Sequence, residues 1–114
     1  MPVVEIKTNV RSADSQDFTA KVAHAVAKLL SKPVGYVMAF VTYTPSMTMG
    51  AEGSPAAYVG IDSIGAVGGS KNNTIAAEIT DLLGAELGVA ADRVYVHIRD
   101  NDRNDIALSG KTFA

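Results

Sequence analysis

The stretch Lys32-Pro33-Val34-Gly35-Tyr36-Val37 combines the end of a predicted helix, a turn and the start of a predicted strand. The same arrangement recurs in Val89-Ala90-Ala91-Asp92-Arg93-Val94. Each stretch follows a segment with helical spacing of apolar residues and leads into a run of β-branched and aromatic residues. The chain therefore predicts an internal duplication, with β-α-β units at about residues 2–44 and 58–100. Such units favour a right-handed crossover between parallel strands.

Upstream of both stretches, apolar residues recur at the spacing of one helical face. Residues 15–30 predict an amphipathic helix with Asp14 as its N-cap, and Pro33 limits its extension beyond Ser31. A second helix is predicted to begin after Ser70 and to stop at Gly88. The predicted buried faces consist of Phe18, Val22, Ala25, Val26, Leu29 and Leu30 in the first helix, and of Ile75, Ile79, Leu82, Leu83 and Leu87 in the second.

Four strands complete the two units, at residues 2–8, 36–43, 58–64 and 93–99. Turn-forming residues fill the loop between Pro45 and Pro55. We expect one α+β domain over residues 1–114, a two-layer sandwich in which two helices cover one face of a four-stranded mixed sheet.

The second predicted strand alternates Val37, Ala39 and Val41 with Met38 and Phe40, so both of its faces are apolar. A sheet with two apolar faces and one helical layer requires a partner, which predicts a homo-oligomer of closed symmetry.

Composition excludes several classes of function. The chain has 114 residues, 47% of them hydrophobic, and a net charge of −2, which does not favour nucleic acid as a partner. No apolar run is long enough to span a membrane and no signal peptide is visible, so the expected compartment is the cytosol. The absence of cysteine excludes disulfides and thiolate chemistry. With only His24 and His97 as histidines, we expect no metal site and no cofactor.

The most suggestive single residue is Pro2. Initiator methionine is normally removed before proline, so we expect the mature chain to begin with a proline whose nitrogen is a secondary amine. A strand would hold this base rigidly, as a general base requires. Many chains begin Met-Pro without any such chemistry, however, so Pro2 alone is a weak indication.

Further motifs, in order along nearly the whole chain, strengthen the indication that Pro2 is catalytic. They are Met1-Pro2, Thr8-Asn9-Val10, Lys32-Pro33 with Gly35-Tyr36, Ser63-Ile64-Gly65, Gly68-Gly69 with Asn72-Asn73, Asp92-Arg93-Val94-Tyr95, and Thr112-Phe113-Ala114. Together they resemble the macrophage migration inhibitory factor family, within the tautomerase superfamily whose members begin with a catalytic proline. The resemblance implies two β-α-β units, a homotrimer whose sheets line a central barrel, and short C-terminal strands at the subunit boundary.

For the chemistry, the resemblance implies keto–enol tautomerisation of phenylpyruvate-type α-keto acids, with dopachrome analogues as further candidates and Pro2 as the base. Lys32 matches the family's carboxylate-binding lysine, and Ile64 matches a residue whose backbone N–H contacts the substrate. Tyr95 and His97 lie on one side of a strand, and the family's equivalent pair reaches a neighbouring subunit's site. The resemblance also assigns substrate contacts to Tyr36, Ile106 and Phe113.

Several residues depart from the family pattern. His97 stands where asparagine is usual, which puts the preference for hydroxylated substrates in doubt. Leu108 replaces a tryptophan, and Ala56-Ala57-Tyr58-Val59 replaces a Cys-x-x-Cys motif, which excludes thiol oxidoreductase activity. Thr44 replaces an acidic residue, so receptor binding is left open without support from the sequence.

Two alternatives remain at this point. One is a cytokine-like signalling protein with a vestigial site, for which export without a signal peptide is an open question. The other is a related isomerase or dehalogenase acting on another unsaturated acid, although no arginine that would bind a diacid is evident near Pro2 in the sequence. Retention of Pro2, Lys32 and Tyr95 together favours the tautomerase.

Overall fold

The computed structural model describes all residues, 1–114. Two α-helices, a four-stranded sheet and a two-stranded sheet make up the fold. The elements are β1 (Val3–Thr8), α1 (Gln16–Leu30), β2 (Met38–Tyr43), β3 (Ala57–Ser63), α2 (Lys71–Leu87), β4 (Val94–Asp100), β5 (Ala107–Leu108) and β6 (Lys111–Thr112), with 3₁₀ turns at Arg11–Ala13, Val34–Tyr36 and Ala91–Arg93.

The large sheet has the strand order β2-β1-β3-β4. Within each β-α-β unit the strands are parallel, β1 with β2 and β3 with β4, while β1 and β3 join the two units in antiparallel fashion. Val3 therefore lies between Met38 and Asp62. The predicted fold class, a mixed sheet with two helices on one face, is confirmed.

A single hydrophobic core lies between the sheet and the helices. Val4, Ile6, Val59 and Ile61 are 0–1% exposed on the helix-facing side of the central strands. Opposite them pack Phe18, Val22, Val26 and Leu30 of α1, and Ile75, Ile79 and Leu83 of α2. Ala25, Leu29, Leu82 and Leu87 also belong to the predicted faces but are only half-buried. Full burial of one such aliphatic side chain is worth about 1.5–3 kcal/mol.

The ends of some elements differ from expectation. Ser15, not Asp14, caps α1, because its side chain accepts a hydrogen bond from the Phe18 N–H at 3.1 Å. Ser70 does precede α2, but its side chain makes no capping bond. Gly88 ends α2 as predicted, with a left-handed φ of 70°.

The second strand begins later than predicted. Residues Val34–Tyr36 form a 3₁₀ turn, closed by hydrogen bonds from Tyr36 N–H to Pro33 C=O and from Val37 N–H to Val34 C=O. Pro33 presets the backbone angle that starts this turn. Tyr36 is consequently a turn residue with a 55% exposed side chain, not part of β2.

The face of the sheet without helices is apolar only in part. Met38 and Phe40 of β2 are 62% and 41% exposed, as an apolar open face requires. The other three strands, however, present mostly polar groups there, namely Glu5, Lys7, Tyr58, Asp62, Tyr95, His97 and Arg99. The expectation of two apolar faces is therefore wrong outside β2.

No helix in the structure has the length and apolar character needed to cross a membrane.

Candidate active site

Two cavities adjoin the N-terminal end of β1 and share Met1, Tyr36 and Phe113 among their lining residues. The apolar cavity has a volume of about 480 Å³, and its other lining residues are Val3, Gly35, Val37, Met38, Ala39, Ile106, Ala107 and Leu108. The basic cavity has a volume of about 290 Å³, and its other lining residues are Lys32, Pro33, Ile64 and Arg103.

Pro2 is fully buried behind these cavities. Its carbonyl accepts a hydrogen bond from the Met38 N–H at 3.1 Å, so the start of the β1–β2 pairing holds the proline in place. Its nitrogen is bonded to Met1, which lies in both cavities. Removal of Met1 would turn that nitrogen into a secondary amine facing the space that Met1 fills.

An amine at this end of the chain is biased toward its neutral form. The pKa of the Met1 amino group is lowered from 8.0, first by burial and second by the positive charge of Lys32. Burial removes water that would solvate the cation, and the lysine repels it. Both causes belong to the surroundings of the amine and not to methionine itself.

Lys32 reaches the basic cavity because of the way α1 ends. Ser31 adopts a left-handed conformation with φ of 53°, and the Lys32 N–H donates to the Ala27 carbonyl at 2.9 Å. This termination directs the chain away from the helix axis. The Lys32 Nζ atom then donates to the Ile64 carbonyl at 3.3 Å.

Ile64 follows the last residue of β3 in a bend with defined hydrogen bonds. The Ser63 hydroxyl donates to the Gly65 carbonyl at 2.7 Å, and the Gly65 N–H donates to Asp100 Oδ1 at 2.9 Å. Gly65 has a φ of 67°, which suits glycine in a tight turn. The Ile64 N–H has no hydrogen-bond partner within the chain and remains free to donate to a ligand.

The C-terminal tail supplies further lining residues of both cavities. Strands β5 and β6 pair through a turn at Ser109 and Gly110, and the Phe113 N–H then donates to the carbonyls of Arg103 and Ile106, each at 3.1 Å. Ile106 and Phe113 thus line the cavities together with Tyr36. Six of the predicted site residues therefore lie in one region of the fold, namely Pro2, Lys32, Tyr36, Ile64, Ile106 and Phe113.

Arg103 was not among the residues singled out from the sequence, although it lines the basic cavity beside Lys32. It is far from Pro2 in the chain, and its surroundings in sequence are polar and loop-like. Only the folding of the tail against Phe113 brings it to the site. No local sequence signal distinguishes it from a solvated arginine.

Tyr95 and His97 lie away from the cavities of their own chain. The sheet register places Tyr95 beside Tyr58 and His97 beside Gly60, whereas Val3, next to Pro2, pairs with Asp62. Both side chains point to the same side of β4, as expected, and this side is the open face of the sheet, where Tyr95 is 66% exposed. Their contribution to a neighbouring subunit's site remains a prediction.

His97 belongs to a polar network on that open face. Its Nδ1 atom lies 3.1 Å from the Tyr58 hydroxyl and 3.2 Å from Arg99 Nη1. Arg99 also donates two hydrogen bonds to the Asp62 carboxylate, at 2.7 and 2.8 Å, which lowers the pKa of Asp62. A Cβ at Gly60 would lie 3.1 Å from Arg99 Nη2, so glycine leaves room for this pair.

The network determines which nitrogen of His97 is free. A guanidinium can only donate, so the Nδ1 atom in contact with Arg99 accepts and carries no proton. Since Nδ1 is engaged by Arg99 and Tyr58, His97 presents only its Nε2 atom to a ligand. No group of three or more His, Cys, Asp or Glu side chains is placed to hold a metal ion.

Comparison with known proteins gives a consistent result. The family model described as "Macrophage migration inhibitory factor (MIF)" matches residues 1–114. A macrophage migration inhibitory factor homolog from Brugia malayi is 35% identical over 99% of this chain and 99% of its own length, and one from Trichinella spiralis is 31% identical over 99% and 100%. The crystal structure of a macrophage migration inhibitory factor homologue from Prochlorococcus marinus superimposes with a TM-score of 0.91 at 30% identity, covering 98% of this chain and 99% of that one.

Proposed function

The chain belongs to the macrophage migration inhibitory factor family, and from this premise we propose that it is a keto–enol tautomerase of phenylpyruvate-type α-keto acids, with the Pro2 amine as general base. The observation that carries the proposal is the position of Pro2. It is buried, held by the Met38 N–H, and adjacent to cavities that contain Lys32.

The chemistry requires a neutral secondary amine. A free α-amino group ordinarily has a pKa of about 7.7–8.0, and proline is more basic, so an unperturbed Pro2 would be mostly protonated at neutral pH. The lowered pKa of the Met1 amine supports the idea that burial and Lys32 counteract this at the same end of the chain. In the direction of enol formation, the neutral amine takes a proton from the carbon next to the substrate carbonyl, and the protonated Pro2 then gives this proton to the carbonyl oxygen. Ketonisation runs the same two proton transfers in reverse, from the enol hydroxyl to Pro2 and from Pro2 to the carbon.

The remaining contacts orient the substrate. Lys32 binds the carboxylate, and its existing bond to the Ile64 carbonyl keeps its ammonium group at the cavity. The free Ile64 N–H donates to a substrate oxygen. The apolar cavity accommodates the aromatic ring against Tyr36, Ile106 and Phe113. We further propose that Tyr95 and His97 of an adjacent subunit complete the site in a homotrimer.

A signalling role is the second candidate, because the relatives are named for an effect on macrophage migration. Such a role depends on surface groups and not on a free Pro2 amine. The site described above favours the enzyme, since Lys32 and Ile64, with its free N–H, line the same cavity as Met1, the residue bonded to the Pro2 nitrogen. Loss of Pro2 distinguishes the two candidates, because only the enzyme requires it.

The test compares proline variants in ketonisation of phenylpyruvate, followed by enol absorbance. Intact mass should first show that Met1 is absent. Pro2→Gly, or an extension ahead of Pro2, should lower the rate at least about a hundredfold, because the positioned base is lost. Pro45→Gly, in the loop between β2 and β3, is the matched control and should retain the rate. Full activity with Pro2 blocked would rule out the mechanism.

A further inference from the structure

The basic cavity carries more positive charge than one carboxylate needs. Lys32 and Arg103 both line it, and its other lining residues include no acidic side chain. Lys32 alone accounts for the carboxylate of an α-keto monoacid. A second cation without an anionic partner beside it indicates that the ligand brings a second negative group.

Arg103 also forms no ion pair within the chain: the pKa of Asp102 is lowered mainly by its hydrogen bonds from Asn104, and the charge of Arg103 contributes least. Arg93 and Arg99 form ion pairs with Glu52 and Asp62, but Arg103 forms none within 4.0 Å. The carboxylate next to it in sequence, Asp102, is engaged by the backbone N–H and the side-chain amide of Asn104, at 2.8 Å each. The guanidinium group therefore keeps its hydrogen-bond donors available.

The backbone at Arg103 is held in position. Its carbonyl accepts a hydrogen bond from the Phe113 N–H at 3.1 Å, and the Asp105 N–H donates to the Asp102 carbonyl at 2.9 Å across the same turn. Phe113 itself lines both cavities. The arginine is thus attached to the wall of the site and not to a separate loop.

We propose that Arg103 is a second anion-binding residue of this site and that, besides phenylpyruvate-type monoacids, the site accepts short 2-oxo dicarboxylates. Lys32 binds the carboxylate next to the ketone, and the planar guanidinium binds the second carboxylate through two parallel hydrogen bonds. The diacid is short because both cations line the same small cavity of about 290 Å³, not opposite ends of the apolar one. The inference rests on the proposed function, since it names the substrate class of that site.

The test measures dissociation constants by calorimetry for two acids of equal chain length, 2-oxoglutarate and 2-oxopentanoate, on the chain that begins at Pro2. We expect 2-oxoglutarate to bind at least about fivefold more tightly, a modest factor because Arg103 is exposed. Arg103→Gln should abolish this preference while leaving the 2-oxopentanoate constant unchanged. Arg103→Lys should retain part of it, because charge is kept but the two-pronged geometry is lost.

Arg11→Gln is the matched control, because Arg11 lies over the Tyr43 ring, 4.7 Å from its centre, at the far end of β2. It should keep the full preference. Equal binding of both acids, failure of 2-oxoglutarate to bind, or equal weakening of both by Arg103→Gln would overturn the inference. If the protein tautomerises phenylpyruvate and still gives any of these results, the proposed function stands and only the inference about Arg103 fails. Arg103-dependent binding of 2-oxoglutarate without turnover of either phenylpyruvate or a 2-oxo diacid would instead contradict the tautomerase.

Discussion

Lys32 combines two effects in one side chain. Its ammonium group contacts the Ile64 carbonyl, and its charge lowers the pKa of the neighbouring terminal amine. The same cation that is proposed to bind the substrate carboxylate therefore also favours the neutral base. The two effects can be separated experimentally, because the effect on the pKa acts on the free enzyme, whereas carboxylate binding requires the substrate.

At the residue scale, Lys32→Gln should move the acid limb of the pH profile of kcat/KM to higher pH. The base works only when neutral, so activity falls as pH drops through its pKa, and loss of the lysine charge raises that pKa. kcat/KM reports the free enzyme. Lys32→Arg keeps the charge and should leave the limb in place. An unshifted limb in the glutamine variant would show that Lys32 does not influence the base.

At the scale of elements, the two long helices differ in how they begin. The Ser15 side chain accepts a bond from the Phe18 N–H at the third helical position, a regular N-cap. Ser70 has helical angles of −67° and −20°, and Asn72 Oδ1 instead accepts a bond from the Gly68 N–H at 2.7 Å. Similar sequence signals thus lead to different local structures.

The two serines make a matched pair for a stability measurement. Ser15→Ala should lower the free energy of unfolding by about 1 kcal/mol, because the Phe18 N–H loses its acceptor. Ser70→Ala should change it by less than about 0.5 kcal/mol. Urea unfolding at one fixed protein concentration measures both. Equal losses in the two variants would contradict these roles.

For the whole molecule, the distribution of predicted site residues is the main feature. Pro2, Lys32 and Ile64 lie at one end of the sheet, while Tyr95 and His97 lie on edge strand β4 and line neither cavity. The opposite edge strand, β2, exposes Met38 and Phe40. Exposed aromatic and apolar groups on open edges are suited to contacts between subunits.

A homotrimer with shared sites predicts complementation. Pro2→Gly and Tyr95→Ala should each impair activity alone. Coexpressed in equal amounts, they should restore about a quarter of the sites in a cyclic trimer, where Pro2 and Tyr95 come from different chains. Light scattering should give three times the mass of one chain. A monomer, or a mixture no more active than its components, would contradict the shared site.

Local patterns were sufficient for much of this fold. Helical spacing identified both helices, and Gly88 marked the end of α2, because these features depend on neighbouring residues. The turn after Pro33 was predicted, but its extension through Tyr36 was missed, because the run of β-branched and aromatic residues already begins at Tyr36. The polar open face was missed because β2, the strand used to judge it, is the one strand whose exposed side is apolar.

By itself, the sequence determined the helices and the parallel pairing within each β-α-β unit, because periodicity and chain connectivity are properties of nearby residues. The candidate roles of Pro2 and Lys32 came from the resemblance of the ordered motifs to a known family. Only the tertiary structure decided that Arg103 shares a cavity with Lys32 and that Tyr95 lies away from Pro2. The physical reason is that sheet register and the fold of the tail set these distances, and both depend on contacts between residues far apart in the chain.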